Sequence, residues 1–139
     1  MPASIFDRLK GTFRNGIPVH LVPEPARTGF SIMDNIWGII NTSLGRYPLR
    51  PDFGLPHIPD TIAKIPEKNG ELTSHLKTII PKFEPRVKRI FIPRWEVNGK
   101  GCFLECLLIC ELHKGGVLRF LVQFRGMGNN AIRPWRGAE

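Results

Sequence analysis

The sequence predicts an α+β fold: a three-stranded antiparallel β-meander packed against two main helices, with an amino-terminal docking helix and long proline-rich loops. Three observations predict it. Two stretches carry apolar residues at helical spacing, Ile32, Ile36, Ile39 and Ile40 in one and Leu72, Leu76, Ile79 and Ile80 in the other. Further on the period becomes strictly alternating, with Cys102, Leu104, Cys106, Leu108, Cys110 and Leu112 on every second position. Asn98-Gly99 and Lys114-Gly115-Gly116 punctuate the strand runs as hairpin turns do.

Each element follows in order. "ASIFDRLKGTF" places Ile5, Phe6, Leu9 and Phe13 at helical spacing, but it is too short to be stable alone and must dock on its own domain or on a partner. "RNGIPVHLVPEPARTG", with prolines at 18, 23 and 25, reads as extended, so residues 1–30 form a helix and an arm. "SIMDNIWGIINT" reads as a helix capped by Ser31, with Asp34 three residues on and Trp37 beside the isoleucine stripe. "SLGRYPLRPDFGLPHIP" is a long proline-studded loop, a kind that is uncommon in compact domains and often functional. "DTIAKI" is one helical turn ended by Pro66. "NGELTSHLKTIIPKF" is the second main helix, with Asn69 as cap, Glu71 at the positive end, Pro81 terminating or kinking it and Phe83 just beyond.

The strands follow. "VKRIFIPRWEV" reads as one strand, placed at an edge by Pro93. In the last hairpin a three-residue loop pairs His113 with Val117, which sets Leu112 opposite Leu118, Cys110 opposite Phe120 and Cys106 opposite Phe124. The other face then pairs Glu111 with Arg119, Ile109 with Leu121 and Glu105 with Arg125, so both faces are chemically sensible in one register.

A chain of 139 residues suits a single domain, 1–139, able to bury a core without metal or disulfide help. The net charge of +8 bears on partners rather than on fold, leaving nucleic acid, an anionic membrane face or an acidic protein surface open. Cys102, Cys106 and Cys110 lie on one strand face about 13 Å apart, beyond the roughly 7 Å that a disulfide spans, and their spacing is no CxxC clip. They read as reduced core residues. No secretory signal or spanning run is visible, so a soluble, cytoplasmic protein is expected.

Catalytic patterns are weak. Glu105 and Glu111 stand about 20 Å apart along a strand, too far for a glycosidase pair. His20, His57, His75 and His113 have no metal-ligand spacing, no serine has a nucleophile-elbow setting, and no glycines have phosphate-loop spacing. Lys82, Arg86, Lys88, Arg89 and Arg94 cluster around the first strand and could track phosphates, but no RNA-recognition or helix-turn-helix pattern accompanies them. Glu84-Pro85-Arg86 remains. Pro85 forces Glu84 into an extended conformation and marks a helix-to-strand corner. Two readings stand: a local one, with Glu84 accepting backbone donors and Arg86 pairing with a nearby carboxylate, and a functional one, with a rigid corner presenting a charged fork to another protein.

From "SIMDNIWGIINTS" through "DFGLPHI" to "IIPKFEPRVKRIFI" and into the hairpins, the chain resembles the TssE family, baseplate subunits of type VI secretion systems. That family is similar to the wedge protein of contractile phage tails that starts the sheath. Phe53-Gly54-Leu55-Pro56 matches its loop motif, Phe83-Glu84-Pro85-Arg86 its Glu-Pro-Arg motif, and "SIFDRL" its amino-terminal helix. The chain departs from the pattern at Asn41-Thr42-Ser43, where the family's arginine is absent and Arg46 is the candidate to replace it.

The resemblance implies a structural, non-enzymatic role, with no catalytic residue, metal, cofactor or small-molecule ligand. It implies wedge partners of the TssF, TssG and TssK type and sheath partners of the TssB and TssC type. Glu84, Pro85 and Arg86 are expected at the wedge, the strands around 87–97 and 117–125 with Arg89, Arg119 and Arg125 at the sheath, and Phe6 and Leu9 on the docking helix. Sheath strands would extend the sheet by β-augmentation. The machine would stand on the cytoplasmic side of the inner membrane, without membrane insertion or nucleic acid. Two competing readings are a muramidase using Glu84 as acid, in keeping with the family's lysozyme-like label, and a basic nucleic-acid-binding module.

Overall fold

The computed structural model describes residues 26–55, 70–98, 103–125 and 130–135. Helix α1 spans Ala26–Ile40 and helix α2 Gly70–Phe83. Five strands follow: β1 Val87–Phe91, β2 Trp95–Asn98, β3 Phe103–Leu112, β4 Val117–Phe124 and β5 Ala131–Pro134. They form one antiparallel sheet in the order β1-β3-β4-β5, with β2 sharing β1's side of β3. The α+β class holds. The expected amino-terminal helix with Phe6 and Leu9, the "DTIAKI" turn, the Asn69 cap, Cys102 and the Asn98-Gly99 turn lie wholly or partly outside the described residues.

The helical stripes are where their periodicity puts them. Ile32, Ile36, Ile39 and Ile40 on α1 and Leu72, Leu76, Ile79 and Ile80 on α2 are buried together with the even-numbered residues of β3 and β4. Each fully buried Ile or Leu contributes about 1.5–3 kcal/mol, so these stripes outweigh any surface ion pair at about 1 kcal/mol or less. Cys106 and Cys110 are free, buried thiols of this core.

Four expectations need correction. Helix α1 begins at Ala26, so Ala26–Phe30 are helical and not an arm; Ser31 lies inside the helix, buried, and caps nothing. Pro25 directly precedes Ala26 in sequence, and proline suits a helix start because the N–H it lacks has no partner there.

The expected first strand is two strands, β1 and β2, because Ile92–Arg94 leave the ladder around Pro93, which has no N–H to donate. Its edge position is as expected. Strand β5 is an addition; four residues with an arginine and a proline carry no readable alternation, and the ladder to β4 supplies the strand.

The β3–β4 register is displaced from the expected one by two residues. Leu112 and Gly116 close the hairpin, so its loop is His113-Lys114-Gly115, with Gly115 N–H donating to Leu112 O at 3.1 Å. Gly115 has φ 95°. Gly116 is likewise at positive φ, 90°, and with the loop ending at Gly115 the closing pair lies one residue back on each strand. An even-numbered slip preserves the faces, which is why the core was unaffected. The partners change: Arg119 lies opposite Ile109, Glu105 opposite Gln123 and Leu107 opposite Leu121. Glu111 takes its ion pair from Arg89, Nε to Oε2 at 2.7 Å. Arg125 lies past the ladder, with Nη2 donating to Gln123 Oε1 at 2.8 Å.

Among the described residues, β1 and β2 pair only with β3, and β5 pairs only with β4. Among the described residues, then, no further strand pairs with either lateral margin of the sheet, and such margins are where another strand can add. The face away from the helices carries exposed Phe91 and Val117 and half-buried Leu107, Ile109 and Leu121.

Candidate functional site

The Glu84-Pro85-Arg86 corner forms where α2 gives way to β1. Pro81 falls in the last turn of α2, and the Glu84 N–H still donates to Ile80 O at 2.8 Å. Pro85 then prevents a further helical turn. The Val87 N–H donates to Glu84 O at 3.1 Å, closing a tight turn with proline at the second position, where its fixed φ fits.

The side chains close inward. Glu84 is 0% exposed. Arg86 Nε donates to Glu84 Oε1 at 2.7 Å and Nη2 to Oε2 at 2.8 Å. The Arg86 backbone N–H adds a bond to Oε1 at 3.0 Å, and Asn35 Nδ2 one to Oε2 at 2.8 Å. Arg86 Nη1 reaches Ser31 Oγ on α1 at 2.9 Å, and Asn35 Nδ2 also donates to Phe83 O at 3.1 Å. A buried carboxylate survives out of water only when paired and hydrogen-bonded, and this one has four donors. The corner is thus a strut that ties α1 to the junction of α2 and β1. Burial, and after it the charge of Glu84, push the Cys110 thiol up to about 12.

The geometry supplies the partners of the local reading: Glu84 accepts a backbone donor, and Arg86 pairs with a carboxylate, which is Glu84 itself. The guanidinium fork is occupied within the chain. What the corner turns outward is Pro85 and, on β1, Lys88. For a muramidase acid the arrangement is unsuitable, because both carboxylate oxygens are engaged and the group has no exposed surface to meet a glycosidic oxygen.

The remaining candidates disperse. Arg89 stands on β1, at the β1–β2 margin, Arg119 on the outer face of β4 and Arg125 just beyond β4, all exposed. Phe6 and Leu9 lie outside the described residues. Arg46, the candidate for the absent arginine, is exposed on the loop after α1.

Two partners were missed by sequence reasoning. Ser31 and Asn35 are one helical turn apart and interrupt the isoleucine stripe of α1; polar side chains on a buried stripe are a readable signal of an internal partner. Asn130 was missed as well: its N–H donates to Asn41 Oδ1 at 2.7 Å, and its Nδ2 to Ile40 O at 2.8 Å, fastening the end of α1 to the start of β5.

The family described as baseplate wedge protein gp25 matches residues 28–95. Over these residues the chain is gp25-like, similar to the baseplate wedge family. The gp25-like segment runs through α1, the following loop, α2, the corner and β1, and ends at Trp95. It therefore contains the whole Glu84 strut, with both of its α1 partners. No curated protein matches the chain. A gp25-like chain is a structural baseplate component of a phage tail-like machine, which agrees with a corner built for rigidity rather than for turnover. None of the described helices is long and apolar enough to cross a membrane.

Proposed function

We propose that this gp25-like chain is the TssE-type subunit of a type VI secretion baseplate, standing on the cytoplasmic side of the inner membrane. It docks on wedge subunits of the TssF, TssG and TssK type and starts the sheath of TssB- and TssC-type subunits. The observation that carries the reading is the pairing of a baseplate family match with a sheet whose two lateral margins carry no further strand among the described residues. An incoming strand at such a margin gains main-chain hydrogen bonds, while its side chains set the register.

In this reading the Glu84–Arg86 strut acts indirectly. It fixes the angle between α1 and the sheet, so that the outward residues of the corner, Pro85 and Lys88, meet the wedge as a rigid shape. Arg89, Arg119 and Arg125 supply positive charge beside the strands that face the sheath, which steers an acidic partner and fixes register.

The test is reconstitution. Purified sheath subunits are added to baseplates assembled with and without this chain, and sheaths are counted by electron microscopy. Sheath should start only from baseplates that contain the chain, and amides of β1, β2 or β5 should gain hydrogen-exchange protection. Equal sheath initiation without the chain defeats the proposal.

A further inference from the structure

We propose that the tip of the loop after α1 is a docking knob, received by an apolar socket with a carboxylate rim on another protein. The inference does not depend on which machine the chain serves.

The loop is a built object. Its ends meet in a parallel bridge between Ser43 and Leu55, with Leu44 N–H donating to Leu55 O at 2.8 Å and Leu55 N–H to Thr42 O at 2.9 Å. Gly54, at φ 109°, passes so close to α1's end that a Cβ there would lie 2.5 Å from Thr42 O. Phe53 packs edge-on against Phe83 with centroids 4.9 Å apart, and the Arg50 guanidinium lies 4.7 Å above the Phe83 ring. Asp52 is salt-bridged to Lys82 of α2. A compact loop with joined ends and its own packed side chains is a frequent functional device.

On this base the tip turns its apolar side chains outward. Arg50 N–H donates to Tyr47 O at 3.0 Å, which closes a turn with Pro48 and Leu49 at its apex. Leu49 is 93% exposed, Tyr47 50% and Leu44 42%. One exposed leucine is ordinary. Tyr47 leans on Phe53, with ring centroids 6.2 Å apart, but that packing leaves Leu49 at the apex almost wholly in solvent, with half-exposed Tyr47 and Leu44 beside it.

The occupant follows from shape and charge. A convex, pre-ordered tip fits a concave site, and its ordering entropy is lost before binding rather than during it. Arg46 and Arg50 flank the tip and are exposed, on a chain of net charge +8, so the complementary rim is acidic. A bilayer is a poorer fit: even a whole myristoyl chain gives only marginal membrane binding, and this tip inserts less hydrocarbon. Nucleic acid is poorer still, since a leucine at the apex has no base-stacking face.

The test places photoreactive p-benzoylphenylalanine at Leu49 in the full chain, with exposed Lys77 on α2 as the control position. Irradiation in cells should give a protein adduct from position 49 and none from 77. Mass spectrometry should map the adduct to apolar residues flanked by Asp or Glu. With that protein purified, L49D should weaken binding about tenfold or more. R46E should weaken it too, and reversal of the mapped carboxylates to lysine should restore R46E binding. Because Leu49 and Arg46 are exposed, neither variant threatens the fold. No protein adduct, an adduct to lipid or nucleic acid, a mapped site without carboxylates, or unchanged binding by L49D overturns the proposal. An adduct that meets every criterion on a protein foreign to any baseplate supports the knob and overturns the baseplate reading instead.

Discussion

Arg86 grips both oxygens of Glu84, two residues away, and does so with the carboxylate wholly out of solvent. The relationship makes the tripeptide a clamp closed on itself. Its energetics are those of a buried pair, in which losing one partner is worse than losing both.

Glu84→Gln should therefore destabilise the protein by about 3–5 kcal/mol, because Arg86 loses, in a largely buried position, the carboxylate that its Nε and Nη2 both hold. The double variant E84Q/R86Q should cost less than the sum of the two single changes. Urea denaturation of the four proteins in a double-mutant cycle measures the coupling, and strict additivity would refute the clamp.

Gly54→Ala should be far more damaging than Gly45→Ala. Both glycines have positive φ, but the Cβ at 54 would strike the backbone of Thr42 and Ser43, whereas at 45 nothing lies within 4 Å. The strain at 45 alone costs about 1 kcal/mol, and position 54 adds the collision. Thermal melts of the two variants give the comparison, and equal loss would mean that the loop does not hold its close approach to α1.

Stability should fall in alkaline solution through the buried thiols. Burial, aided by Glu84, raises Cys110 to about 12, and burial raises Cys106 further. A folded-state value above the unfolded one means that the folded protein binds more protons in the interval. This stability is fully present below the ordinary thiol value near 9.0 and is lost as pH rises toward the folded value. Denaturation at stepped pH should show the decline above pH 9, and Cys110→Ala should flatten it.

Asp52 offers a local titration. The hydrogen bond from Lys82 lowers its carboxyl below the ordinary value of 3.8, with Arg50 a smaller influence. A depressed carboxylate contributes above its unfolded value and loses that contribution as pH falls through the folded one. Carbon-detected NMR should follow the shift, and Lys82→Gln should return Asp52 toward its ordinary value; no change would mean that the pair does not persist in solution.

The helical stripes, the alternation of β3 and β4, the corner at Pro85 and the edge at Pro93 were all legible along the chain. Each rests on chemistry within a few neighbouring residues: periodic burial, a proline's fixed φ, a missing N–H. The register of the β3–β4 hairpin was legible only to within an even slip, because apolar residues on every second position satisfy both alignments; the folded hairpin takes the one closed by Leu112 and Gly116. What Glu84 does was legible only as one of two readings, and its partners on α1 were not. Its partners Asn35 and Ser31 come from α1, the first 49 residues from Glu84 and the second 55 from Arg86, and they arrive only when α1 packs beside α2. Local sterics write periodicity and turns into neighbouring positions. Whether a charge faces water or an internal counterion depends on surfaces that meet after the chain has folded, and here packing turned Glu84 and Arg86 toward each other beneath an exposed Pro85.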